Sequence, residues 1–412
     1  MSHTKKLTAV FIGALALAAV PSLVFAAHSS PGTVYVDDTC NPPADGSIGD
    51  PFCTIQEAVN HASNGDTILV QPGTYTESVT VGKSIRLLGA KAGKDATKRT
   101  NPVTEESVVN GNFVLEANTI QLDGFIIQGN ATGPGIETRP AFSGYKIMNN
   151  IIKNHVFGLY LHSNGTTRTD VIRNFFDVNN QTGAANGNAI YSDQGLHKAD
   201  ITRNKSRQHD NSAFTLTVGS AAQPNNSHVT FSRNESIEDT NMINWYSTNN
   251  SEISRNTARG VNDPGDGAAI FLADDNHGIT ISRNEIRNRG WTGIVVTNLD
   301  AAGTPDTADP NNNITIERNI LRQLDQNGIE IRDNGVVAGG AKVERNEVRT
   351  VLLDGILFGN LTSGNTISRN FMRGGGEHDA HDNSTGSSTA GTANTWTRND
   401  CVTDQPDGLC RR

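Results

Sequence analysis

Ile279 to Val296 reads ITISRNEIRNRGWTGIVV, and Ile314 to Ile331 reads ITIERNILRQLDQNGIEI. Both place apolar residues at alternate positions, then Arg-Asn, then a polar turn, then a Gly and a second alternating run. Alternation with period two is the mark of a strand with one buried face. The Arg-Asn pair recurs with Asn at 174, 204, 234, 256, 284, 319, 346 and 370, and Asn149-Asn150 fills the same slot earlier. From Asn150 onward the spacings are 24, 30, 30, 22, 28, 35, 27 and 24 residues. A floor near 22 with variable excess means that insertions enter one turn and spare the strands, as in a repeat solenoid.

Strands of three to five residues cannot bury a face alone. Stacked on copies of themselves, they form long parallel sheets around one continuous core. A recurring Asn at a tight turn then has a role: its amide can bond to the coil above and below. The Arg before it is expected to point outward, with Glu235, Glu285, Glu317, Glu344 and Glu347 close enough to neutralise an Arg edge. The fold expected is all-β, a single-stranded right-handed parallel β-helix.

The rest of the chain sets the ends of this solenoid. Lys5-Lys6, the apolar run Leu7–Val20 and Val24-Phe25-Ala26 have the pattern of an export leader, giving a leader over 1–26. Residues 27–66 are expected to form an N-terminal cap, 67–374 the coils, and 375–412 a C-terminal tail. Within the cap, TIQEAVNHAS (Thr54–Ser63) predicts a helix with Ile55, Ala58, Val59 and Ala62 on one face. The four cysteines fall as two close pairs, Cys40 with Cys53 and Cys401 with Cys410. Three pairings are possible; closeness favours these two disulfides, and neither pair has the C-x2-C spacing of a zinc site.

The chain has 412 residues and a formal net charge of -9, which argues against a general nucleic-acid binder, since that class needs a basic footprint. No later apolar run is long enough to span a bilayer. The expectation is an exported or periplasmic monomer with a polysaccharide partner.

The segment IQEAVNHASNGDTILVQPGTYTESVTVGKSIRLLGA resembles the opening of secreted right-handed parallel β-helix proteins of the pectin-lyase-like superfamily. The Ile-x-Arg-Asn repeats resemble that superfamily's coils, and GTANTWTRNDCVTDQPDGLC resembles tails of its bacterial members. The resemblance implies a capping helix over the open end and the fold named above. It leaves activity open, because this fold hosts lyases, epimerases, hydrolases, esterases and adhesins.

If the apolar residue of each coil's later strand points inward, its neighbour points out. That aligns Tyr160 with Tyr191, and, two residues on, His162 with Asp193 and later Tyr246. Coils lie about 4.8 Å apart, so Asp193 can orient His162 as an acid or base. Tyr160 is the second candidate for proton transfer, and Tyr191 and Tyr246 would form a flat platform for sugar rings. Glu330, Arg332 and Asp333 in IEIRDNG are further binding candidates, since Arg can grip a uronate carboxylate with two bonds. ADDNHG (Ala273–Gly278) lacks the partner motifs of pectin hydrolases and reads as a turn. The run EHDAHDN gathers Glu377, His378, Asp379, His381 and Asp382, donors suited to a transition metal or Ca. Its Gly- and Ser-rich setting equally suits a solvated capping loop. No motif requires a cofactor; Ca is the candidate ion. Among the activities that the superfamily resemblance implies, lyase or C5-epimerase chemistry on a uronate polysaccharide is the expected function, with non-catalytic glycan binding as the alternative.

Overall fold

The computed structural model describes residues 32–99, 105–218, 226–260, 267–298, 310–332 and 340–411. The expected leader (1–26) and Asp333 lie outside these residues.

Among the described residues the chain winds through three parallel sheets of fourteen, twelve and thirteen strands, here called the first, second and third sheets in the order a coil visits them. One coil runs through Thr248–Ser254 in the first sheet, turns at Arg255-Asn256, and passes through Thr257–Arg259 in the second. It then follows Ala268–Leu272 in the third and re-enters the first at His277–Ser282. The two opening stretches are successive coils. Ile281 pairs with Ile316, Ile286 with Leu321 and Ile294 with Ile329, and all six side chains are buried. Stacking like on like lets each short strand bury one face against a shared core, a burial of about 1.5–3 kcal/mol for each large apolar side chain.

The Asn ladder is continuous from Asn150 to Asn399 through every Arg-Asn turn. Asn284 is typical. Its Nδ2 donates to Asn319 Oδ1 at 3.0 Å and to the Ile253 carbonyl at 2.9 Å, while its main-chain N–H donates to Asn319 Oδ1 at 2.9 Å. The preceding Arg residues sit at φ between 55° and 58° from Arg173 to Arg369. The left-handed conformation costs a non-glycine residue about 1–2 kcal/mol. The ladder offsets that cost, since buried amides without partners cost about as much. Each of these Arg side chains is exposed, as expected. The expected neutralisation is met in part: Glu344 contacts Arg345 at 3.0 Å and Arg369 at 3.9 Å. Glu235, Glu285 and Glu347 instead pair with Arg259, Arg287 and Arg322, which belong to second-sheet strands.

Some strands of the first sheet are longer than expected: Ser163–Ile172 has ten residues and Leu196–Thr202 seven. Each is two short runs joined across a left-handed residue, Gly165 (φ 73°) and Lys198 (φ 51°) respectively. The sheets also continue past residue 374, through Ala380–Asp382, Thr395–Thr397 and Asp404–Gln405, so the segment expected as a tail supplies strands to the last coils.

The helix Ile55–His61 lies at the N-terminal end and buries Ile55, Ala58 and Val59, with Ala62 buried just beyond it. Thr54 and Glu57 form a reciprocal capping box, and the Glu77 carboxylate accepts from the Ile55 and Gln56 N–H groups at 2.8 and 2.9 Å. At the other end Lys83 Nζ donates to the carbonyls of Val59, Asn60 and Ala62. Both charges complement the helix dipole. Cys40 bonds to Cys53 and Cys401 to Cys410, so a disulfide closes a loop near each end of the described solenoid.

Candidate functional site

The third sheet leaves the core side with an outward column. Its register runs Glu137, Tyr160, Tyr191, Thr215 and Asn244 on successive strands. Leu159 and Ile190 beside them point inward and are buried. Where these strands end and the chain turns toward the first sheet, Tyr160, Tyr191, His162 and Asp193 converge.

The two phenol rings stack with centroids 5.9 Å apart and planes 24° apart. Phe157 packs edge-on against both, at 5.4 and 5.8 Å. The Tyr160 hydroxyl donates to Asp193 Oδ1 at 2.6 Å and accepts from Gln194 Nε2 at 2.7 Å. The Tyr191 hydroxyl donates to Asp193 Oδ2 at 3.3 Å. His162 lies beneath, its ring 4.2 Å from that of Tyr160 and its Nε2 3.5 Å from Asp193 Oδ1. The expected adjacency of His162 and Asp193 is thus present, but their exposure is reversed from that of an outward-facing base. The His162 side chain is 1% exposed and that of Asp193 21%.

The proton on His162 can be placed by its partners. Nδ1 faces the Thr138 carbonyl at 3.2 Å. A carbonyl only accepts, so Nδ1 carries the hydrogen. Nε2 is sealed from solvent, has no aligned hydrogen bond and faces Asp193 Oδ1. A proton arriving at Nε2 would be met by the Asp193 carboxylate. For Asp193, burial pushes the pKa up, but the contacts with His162, Tyr160 and Tyr191 outweigh it and hold the carboxyl below its usual range. Burial and the neighbouring carboxylate push the Tyr160 phenol well above its ordinary value, and Tyr191 up to about 12. Both phenols therefore stay protonated at neutral pH, with Tyr160 placed to donate.

Arg139 and Glu137 join this edge and were not found by sequence reasoning. Arg139 contacts Glu137, and its Nε reaches Glu116 Oε1 at 3.0 Å. Glu137 pairs with Tyr160, so Arg139 is two residues on, in the position that His162 takes in the next coil. The signal was available: Gly135-Ile-Glu-Thr-Arg139 aligns with Gly158-Leu-Tyr-Leu-His162. That coil precedes the first Arg-Asn pair and so escaped a search keyed on it. Gln194 was visible only as the neighbour of Asp193.

Other candidates lie apart from this cluster. Tyr246 directly follows a strand, Asn241–Trp245, two coils beyond Asp193 and about 10 Å along the solenoid. Glu330 and Arg332 form a 3.0 Å ion pair, with Asn327 Nδ2 donating to Glu330 at 3.1 Å, five register steps or about 24 Å from Tyr191. His277 Nε2 lies 2.8 Å from Asp275, a local turn pair as expected. Of the 377–382 group, Glu377 is exposed. Asp379 accepts from the main-chain N–H groups of Gly375 and Val402, and Asp382 from Ser384 and the Trp396 indole. His378 and His381 turn to a different residue, Asp354, at 3.2 and 3.0 Å.

No protein-family model matches the chain. A cell surface glycoprotein of Methanothermus fervidus is 36% identical over 105 residues, which are 25% of this chain and 16% of that protein. The chain thus spans under two thirds of that relative's length. Among solved structures, a PL6 alginate lyase in complex with a trisaccharide superposes with a TM-score of 0.56 at 13% identity, over 90% of this chain and 85% of that one. A DFA-IIIase mutant from Arthrobacter chlorophenolicus in complex with DFA-III gives 0.52 at 12% identity, over 81% and 94%. At these identities the likeness concerns architecture: the chain is a right-handed parallel β-helix with the pectin-lyase-like fold.

Proposed function

We propose that this protein binds an acidic, uronate-containing polysaccharide and modifies it by β-elimination or C5 epimerisation at the Tyr160–His162–Asp193 edge. The observation that carries the reading is the buried His162 Nε2, without an aligned hydrogen bond, on one edge with the Tyr160 hydroxyl that donates to Asp193. The likeness to an alginate lyase over most of both chains supports the substrate class.

In this reading His162 Nε2 takes the proton from C5 of the uronate, and Asp193 stabilises the imidazolium. Elimination then expels the O4 leaving group, to which Tyr160 gives its phenolic proton. In epimerisation Tyr160 returns a proton to the opposite face of C5 instead. His162 is sealed at rest, so the substrate must displace the Asp193–Gln194 turn to reach it. Arg139 is the cation nearest in register to receive the uronate carboxylate. Its two glutamates compete for it, and Ca bound by Glu116 and Glu137 would release it.

The test is an assay of full-length mature protein on alginate, pectate and hyaluronan, with and without Ca. Ultraviolet absorbance reads unsaturated products and NMR reads epimer ratios. His162→Ala should abolish product; full activity in that variant would remove the assignment. Non-catalytic glycan binding is the second reading, favoured by the cell-surface relative. Saturable binding of these polymers without turnover would establish it.

A further inference from the structure

The geometry points to a second site, a binding centre for one divalent first-row transition ion, formed by Asp354, His378 and His381. It stands independently of the polysaccharide reading. The site lies on the third sheet, where His381 pairs in register with Leu357, eight coil steps and about 38 Å from Tyr160.

Three features build it. First, the donors converge: one ligand atom from each residue lies within 4.8 Å of the others, and these are the sole three-residue group of this kind among the described residues. His378 Nδ1 is 3.2 Å from Asp354 Oδ1, and His381 Nδ1 is 3.0 Å from Oδ2. Donors bound about 2.0–2.2 Å from a tetrahedral ion are separated by roughly 3.3 Å. The pairs are thus already near ligand spacing, and an ion would replace the hydrogens that now bridge each imidazole to the carboxylate.

Second, the carboxylate is fixed and the imidazoles are accessible. Asp354 is 4% exposed, and its main-chain N–H donates to Asn327 Oδ1 at 2.9 Å. Its Oδ1 also accepts the His378 main-chain N–H at 3.1 Å. His378 is 31% and His381 16% exposed, which leaves a path for an ion and room for water as a further ligand. Third, the neighbouring acids are otherwise committed. Asp379 and Asp382 hold main chain and side chains of the last coils, so they do not turn the centre into an all-oxygen site. Two imidazoles with one carboxylate select Zn, Co, Ni or Cu over Ca or Mg.

Untagged full-length protein, stripped with chelator, should take up one Zn2+ per chain by calorimetry. Co2+ should give a visible ligand-field spectrum that Zn2+ abolishes and excess Ca2+ leaves intact. His378→Ala and His381→Ala should each weaken Zn2+ binding 10–100-fold, while His277→Ala, which breaks the unrelated turn pair, should not. Asp354→Asn should act like the histidine variants. If it fails to fold, the part-exposed histidines decide the matter, with melting curves taken without metal to show that they are folded. Uptake below one ion per chain, or wild-type affinity in both histidine variants, would overturn the site.

Discussion

Asp193 and Asp354 lie along the same sheet, each beside histidine, and are built in opposite senses. Asp193 stands at the surface with His162 sealed beneath it; Asp354 is sealed, with His378 and His381 above it. In the first arrangement a buried imidazole is covered by a carboxylate and two phenols, which suits the proton transfer proposed above. In the second the Nδ1 atoms of two rings are gathered by one fixed carboxylate, which suits capture of an ion. A third pair, Asp239 with His209, marks the limit in which both partners are 0% exposed. There Asp239 accepts from His209, Ser206 and Ser236, and His209 Nε2 faces Asn179 Nδ2 at 3.1 Å. Residue type is nearly constant across the three; which partner meets water differs.

The sealed pair should show the largest effect on stability. Asp239→Ala strands a buried imidazole and two hydroxyls, and should cost about 4 kcal/mol in urea unfolding. Burial raises the Asp239 pKa, but its bonds from His209 and the serines win and lower it. Its contribution is therefore present above the unfolded carboxyl value near pH 4 and lost as pH falls through the lower folded value. An acid titration of wild type against Asp239→Asn reads this directly.

Next in size is the donor to the part-exposed carboxylate of Asp193. Tyr160→Phe removes the proposed proton donor but keeps the stack, so turnover should fall at least about 100-fold with the melting temperature little changed. Equal turnover would reduce the edge to a binding platform. A smaller effect is expected in alkali. With Tyr191 raised to about 12 and Tyr160 also raised, phenol ionisation followed by absorbance should lag behind that of free tyrosine. The neutral rings' contribution holds below the unfolded value near pH 10 and is lost as pH rises through the folded values. Asp193→Asn should shorten the lag. The smallest effect belongs to Glu330→Ala, which breaks a part-exposed pair and should change stability by about 0.5 kcal/mol.

Local pattern made most of the fold legible. The Arg-Asn pair marked the corner and the ladder, and apolar spacing in IQEAVNHA marked the cap helix. The same repeat alignment put Tyr160 over Tyr191 and His162 beside Asp193, because coil stacking turns a sequence offset into a distance. It failed where that conversion lacked a marker. The coil carrying Arg139 has no Arg-Asn pair to register it. Asp354 is 27 residues before His381, in a loop whose length the repeat does not fix. Exposure was also out of reach: alternation says that His162 leaves the core side, not that Asp193 and Gln194 then cover it.

The Asn ladder has one more consequence. Since each rung asks only for the same rung on the next coil, the solenoid works as a ruler graduated in steps of about 4.8 Å. Adding or deleting a whole coil between Thr215 and Val295 would move the Asp354 centre relative to the Tyr160 edge by one graduation and leave both intact. The separation of the two sites is thus a quantity that gene duplication can adjust without redesigning either.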